Sequence, residues 1–153
     1  KLTKALKFNN VHEASRAISN GIAQVIPEEI LSGANFITAI PTANKRVRAR
    51  GWDQAKLISR YLSKSTKVSG KSLLVRLSSF DQIGATKQER AEASEGFFKP
   101  IRLSLVRGST IILVDDVLTT GSTLNSAARE LKRAGADKVY AATFARQGLA
   151  KLK

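Results

Sequence analysis

The residue types most able to do chemistry lie together between Val114 and Thr123. A short apolar run, Thr110-Ile111-Ile112-Leu113-Val114, gives way at once to two adjacent carboxylates, Asp115 and Asp116. Adjacent acids repel one another and gain nothing from an apolar core. They suit a ligand that donates two neighbouring hydroxyls, or a cation that keeps its water shell. Leu118-Thr119-Thr120-Gly121-Ser122-Thr123 follows and leads into a helical pattern. Its hydroxyls, its backbone N–H groups and the positive end of the helix dipole are donors for a phosphate monoester, and Gly121 permits close backbone approach. A diol acceptor followed six to eight residues later by an anion cup matches a ribose 5-phosphate.

Each part has a plainer explanation when taken alone. Hydroxyl residues before a helix are often only caps, and paired aspartates at a strand end also occur in receiver domains. Haloacid-type phosphatases require Asp-x-Asp, which Asp115-Asp116 is not, and a Walker loop requires a Gly-Lys-Ser/Thr ending that is absent. The combination of strand, diacid, hydroxyl-glycine loop and helix is rarer than its parts.

A second cluster is basic. Lys45, Arg46, Arg48 and Arg50 crowd into six residues, which like-charge repulsion disfavours unless an anion is present. A solvated basic loop and a nucleic-acid phosphate contact are the alternatives, the latter with Trp52 available for stacking on a base. Trp52 is expected to pack beneath the loop.

Composition narrows the chemistry further. The 153 residues include no cysteine and one histidine, His12, which removes thiol nucleophiles, thiolate zinc sites and multi-histidine metal sites. Any metal is then held by oxygen, which favours Mg²⁺. The formal net charge of +14 implies attraction to polyanions, either nucleic acid or a phosphorylated small molecule. No stretch approaches 18 consecutive apolar residues and no signal-peptide pattern opens the chain, so no membrane insertion and a cytoplasmic location are expected. Methionine is absent even at position 1, which points to a trimmed chain or to altered or omitted methionine.

The elements that must hold these residues follow from periodicity. Residues 11–26 carry apolar or small side chains at 14, 17, 18, 21, 22 and 25, one helical face, with Asn10 as cap and Pro27 closing it. Residues 35–40 read as a strand, and a basic loop follows Pro41. Asp53 caps a helix whose inner face is Leu57, Ile58, Tyr61 and Leu62. Residues 72–77 read as a further strand, and residues 78–100 as a polar, non-periodic loop of the kind that forms active-site lids. The continuous apolar run 110–114 suits a strand buried on both faces. Leu124, Ala127, Ala128 and Leu131 then line a helix that Gly135 ends, and residues 138–144 form the last strand. Strands alternating with helices predict one α/β domain over residues 1–153, with a mostly parallel sheet.

Residues 111–123 resemble the phosphoribosyl-pyrophosphate signature of type I phosphoribosyltransferases. A second block, Ile40-Pro41, Arg46 and Arg50-Gly51-Trp52-Asp53-Gln54-Ala55, resembles the ComF family, competence-associated phosphoribosyltransferase-like proteins; Gln82, Arg90, Gly96-Phe97-Phe98 and Phe144-Ala145-Arg146 continue the likeness. The resemblance implies a single type I phosphoribosyltransferase-like domain, with a flexible loop, that binds 5-phosphoribosyl-1-pyrophosphate and Mg²⁺. Asp115 and Asp116 would take the ribose diol and, through water, the metal. Leu118, Thr119, Thr120, Gly121, Ser122 and Thr123 would take the 5-phosphate. Ala43, Asn44, Lys45, Arg46 and Arg50 would face pyrophosphate. Lys87 and Arg90 would reach it from the closed lid, as catalytic residues beside the two aspartates. The acceptor is open, so a phosphoribosyltransferase, a non-catalytic module working with single-stranded DNA and a helicase in DNA uptake, and a nucleotide-sensing regulator all stand.

Three departures qualify the likeness. The family's cysteine zinc ribbon is missing. Asp53 and Ala93 stand where relatives carry Asn. Thr119 stands where purine-salvage enzymes carry an acid that serves as base, which argues against purine salvage.

Overall fold

Ile111 and Leu113 point to one side of an extended strand and Ile112 and Val114 to the other, and all four are fully buried. A strand that is apolar on both faces must have layers on both faces, and that requirement organises the molecule. In the computed structural model, which describes residues 11–77, 98–118 and 121–146, the strand is β5 (Thr110–Leu118). It lies inside a four-stranded sheet with β1 (Phe36–Ala39), β2 (Ser69–Gly70) and β6 (Lys138–Arg146), in the order β2-β1-β5-β6. Every pairing in this sheet is parallel.

One face is covered by α1 (Val11–Val25) and α4 (Gln54–Thr66), which bring Ile18, Ile22, Ile58 and Leu62 onto Ile37, Ile112 and Val114. The other is covered by α6 (Ser122–Arg133), whose Leu124, Ala127 and Leu131 meet Ile111 and Leu113 together with Val106, Leu74 and Phe98. The α/β class, the parallel sheet and the flanking helices expected from periodicity are all present. Gly135, at φ +100°, ends α6 as predicted: the Ala136 N–H reaches back to the Leu131 carbonyl at 3.1 Å and the Gly135 N–H to that of Lys132 at 3.0 Å.

The structure departs from the expected elements in four places. The basic residues after Pro41 are not in a loop: α3 (Asn44–Arg50) carries them, and Gly51, at φ +82°, closes it by donating its N–H to the Val47 carbonyl at 2.7 Å. Arginine and lysine are good helix formers, and a left-handed glycine cap offsets some of their mutual repulsion. Residues 72–77 do not join the main sheet; β3 (Leu74–Arg76) pairs antiparallel with β4 (Phe98–Pro100), which occupies the end of the supposed long loop. β5 runs on to Leu118 instead of stopping at Val114, because β6 continues to pair with it, Leu118 opposite Arg146. Two short helices, α2 (Glu28–Gly33) and α5 (Leu103–Val106), were not anticipated. Of the loop expected over residues 78–100, residues 78–97, with Lys87 and Arg90, lie outside the described residues, as does the Asn10 cap.

Candidate functional site

Strand order sets the location. From β1 the chain moves outward to β2, and from β5 it moves outward the other way to β6. The direction of winding therefore reverses between β1 and β5, and the crevice beyond the carboxyl ends of two such strands is where open parallel sheets hold ligands. Ala39 pairs with Val114, and the Ile40 N–H still reaches the Val114 carbonyl at 2.9 Å. The segment that leaves the sheet after β1 therefore starts beside the acids of β5, although some 75 residues separate them in sequence.

Asp115 and Asp116 are half-buried in the last turns of β5. The Asp116 N–H donates to Asp115 Oδ1 and the Val117 N–H to Asp116 Oδ1, both at 2.9 Å. Each carboxylate thus fixes its own orientation through one oxygen and carries a second. Burial pushes the Asp115 carboxyl up from the ordinary carboxylate range to about 7; the charge of Asp116 adds to this and that of Asp53 adds further, against the opposing hydrogen bond from the Asp116 N–H. A group so poised is relieved by hydroxyl donors or a cation.

Gly121 adopts φ +81° and caps α6, with the Asn125 N–H on its carbonyl at 2.8 Å. Ser122 and Thr123 form the first turn, half-buried, where the N–H groups of a helix have no acceptor within the helix. Leu118 belongs to β5, a correction to its place in the loop. Thr119 and Thr120 lie outside the described residues. In sequence, residues 117–121 stand between Asp116 and Ser122, the first residue of α6, and both acids lie toward the carboxyl end of β5.

Ala43 caps α3, and Asn44, Lys45, Arg46 and Arg50 lie along it. Thr42 and Asp53 close this excursion like a clasp: Thr42 Oγ1 donates to Asp53 Oδ1 at 2.9 Å, and the same oxygen accepts the Lys56 N–H at 3.2 Å as the cap of α4. Asp53 caps α4 as expected, and its charge also adds, as the smallest of the causes, to the rise in the Asp115 pKa. A cavity of about 480 Å³ opens beside the clasp, lined by Pro41, Thr42, Asn44 and Asp53 on one side and by Leu74 and Arg76 of the β3–β4 pair on the other. Arg76 is held there by the Phe98 ring, 5.3 Å from its centroid, and by the Pro41 carbonyl at 3.4 Å.

Among the described residues no three His, Asp or Glu side chains gather into a cage that could hold a metal directly. The donors present, Asp115 and Asp116, are hard oxygens that fit Mg²⁺ held mainly by water and by ligand oxygens.

A phosphoribosyl transferase domain matches residues 47–153, more than half of the chain. The chain belongs to that family. The ComF resemblance is borne out as well. Competence protein F of Haemophilus influenzae is 29% identical over 113 residues, covering 72% of this chain and 49% of that protein. Competence protein ComFC of Bacillus subtilis is 36% identical over 129 residues, covering 84% of this chain and 51% of that protein. The chain therefore spans about half the length of each. Glutamine phosphoribosylpyrophosphate amidotransferase of B. subtilis, solved with ADP and GMP, superimposes with a TM-score of 0.63 at 19% identity, covering 86% of this chain and 26% of that one. That likeness establishes the phosphoribosyltransferase fold.

Proposed function

We propose that this phosphoribosyltransferase domain binds 5-phosphoribosyl-1-pyrophosphate and transfers its ribosyl 5-phosphate to an acceptor. The observation that carries the proposal is the pair Asp115 and Asp116 toward the carboxyl end of β5, at the crevice between β1 and β5, with the glycine-capped start of α6 following five residues after Asp116 in sequence. The two carboxylates would accept the 2′ and 3′ hydroxyls, and Gly121, Ser122 and Thr123 the 5-phosphate, with the neighbouring Leu118, Thr119 and Thr120. The α3 segment with Ala43, Asn44, Lys45, Arg46 and Arg50, steadied by Thr42 and Asp53, would face the pyrophosphate. Lys87 and Arg90 would close over it.

In the transfer, the bond from C1 to the pyrophosphate oxygen breaks, its electron pair leaves with pyrophosphate, and a lone pair on the acceptor forms the new bond to C1. Positive charge would build on the ribose, and the acidic pair on one side and the basic residues on the other would stabilise that separation. Mg²⁺, when bound, would neutralise the departing pyrophosphate. Both curated relatives are named for competence, and we assign this domain to the same process. Single-stranded DNA and a helicase, the partners expected from the resemblance, have no observation of their own behind them and are left out of the proposal.

Pyrophosphate release, followed across a panel of nucleobases and amines, tests the transfer. Release that needs an acceptor and is lost in Asp116→Asn is the expected result. Binding without release for any acceptor would remove transferase activity from the proposal and leave a binding domain.

A further inference from the structure

A second cavity, of about 460 Å³, lies along α4, and neither Asp115 nor Asp116 is in its lining. One wall is the helix; the other is the exposed chain that leaves β2 at Gly70, Lys71 and Ser72. The walls are close because Gly70 has no side chain: a Cβ there would meet Ser63 Oγ at 3.0 Å and Cβ at 3.1 Å. Ser63 itself donates to the Val68 carbonyl at 2.7 Å, which fixes the turn between helix and strand.

The charge on these walls is one-sided. Lys56, Arg60 and Lys64 stand four residues apart on one helical face, and Lys71 joins them from the opposite wall. Among the described residues Asp53 is the one carboxylate in the lining, and its Oδ1 is already taken by Thr42 and the Lys56 N–H. Cations stacked at i and i+4 weaken a helix. Lys56 also sits in a first turn that has no acidic residue, where the dipole opposes it. Lys64, in the last turn, is favoured by the dipole, but the i, i+4 repulsion and the placing of Lys56 are not, and a bound polyanion would offset both. The stripe extends about 12 Å at the rise of an α-helix, long enough for consecutive phosphoryl groups and a sugar.

The rest of the lining suits the other end of such a ligand. Trp52 and Leu57 offer apolar surface, and the Trp52 Nε1–H is buried with no hydrogen-bond partner. A base can stack on the part of the indole that lines the cavity. The volume falls in the range of small-molecule sites.

We infer that this cavity binds a nucleoside diphosphate or triphosphate, phosphates along Lys56, Arg60, Lys64 and Lys71 and base against Trp52, as a site separate from the phosphoribosyl crevice. Its place suggests a consequence. Lys56 and Asp53 line both this cavity and the one beside the clasp. A nucleotide drawing on Lys56 therefore pulls on the first turn of α4, on Asp53 and through Thr42 on the segment facing pyrophosphate.

Trp52 is the chain's one tryptophan, so its fluorescence reports on this cavity. ADP should change that emission saturably in the intact chain. The double substitution Arg60→Ala with Lys64→Ala, both exposed positions, should weaken ADP by roughly tenfold or more, at least the loss of one charge-assisted contact. It should leave phosphoribosyl-pyrophosphate affinity within about twofold, showing that the fold and the crevice are intact. Asp116→Asn should do the reverse. ADP binding lost in Asp116→Asn but kept in the double variant would place the nucleotide in the crevice and overturn the inference. So would an absence of ADP binding at millimolar concentration, or a response seen only with a single-stranded oligonucleotide.

Discussion

Asp115 is held in a state that its surroundings disfavour. Its native pKa of about 7 lies above the ordinary 3.8, so the folded chain binds this proton more tightly than the unfolded chain does. The stability it contributes is fully present below about pH 4 and is lost as pH rises through 7. Thermal unfolding of the ligand-free protein should therefore show the wild type losing more Tm than Asp115→Asn between about pH 5 and pH 8; parallel curves would mean that the side chain is not buried as described. The placement of Asp115 and Asp116 beyond the buried part of a strand, and of Gly121 at the start of a helix, was legible in the sequence, because an apolar run that turns acidic and a glycine before a helical pattern each leave a local trace. The second role of Asp53 was not. Its capping bond to Lys56 accounts for it locally, and its approach to Asp115 arises only when β1 and β5 pair across the chain.

At the scale of elements, the clasp and the cap each make a prediction. Thr42→Val removes one hydrogen bond to a charged acceptor, a change of about 1.5–3 kcal/mol if the loss is uncompensated. Because it loosens the segment that carries α3, it should weaken pyrophosphate binding more than ribose 5-phosphate binding in parallel titrations; equal losses would separate the clasp from pyrophosphate. Gly121→Ala forces a side chain into φ +81°, costing roughly 1–2 kcal/mol, and should lower Tm by a few degrees and weaken ribose 5-phosphate. An unchanged Tm would show that this turn is not left-handed. Long periodic elements such as α1, α4 and α6 were readable in advance, since a buried helical face leaves a repeating apolar trace. α3 was not, because four cations in seven residues read as a solvated loop and the glycine that closes it looks like any loop glycine. β3 has the composition of a sheet strand, yet its partner is β4, beyond residues 78–97. A two-residue strand such as β2 leaves no pattern at all.

For the whole molecule, continuous apolar runs announced a parallel sheet with both faces covered, and that is the architecture found. The order β2-β1-β5-β6 was not readable, because periodicity says which face a residue occupies and nothing about which strand lies beside it. Yet that order creates the crevice, by setting the end of β1 beside the carboxyl-terminal part of β5. The net charge of +14 acts at this scale too, drawing phosphorylated ligands toward a surface on which Lys and Arg outnumber Asp and Glu by 26 to 12. Calorimetric titration of the wild type and of Asp116→Asn with phosphoribosyl pyrophosphate and Mg²⁺ tests the central claim most directly. The substitution should cost about 1.5–3 kcal/mol, on the order of tenfold to a hundredfold in affinity. Wild-type affinity in the variant, or no binding to either protein, would contradict the assignment of this crevice to the ribose.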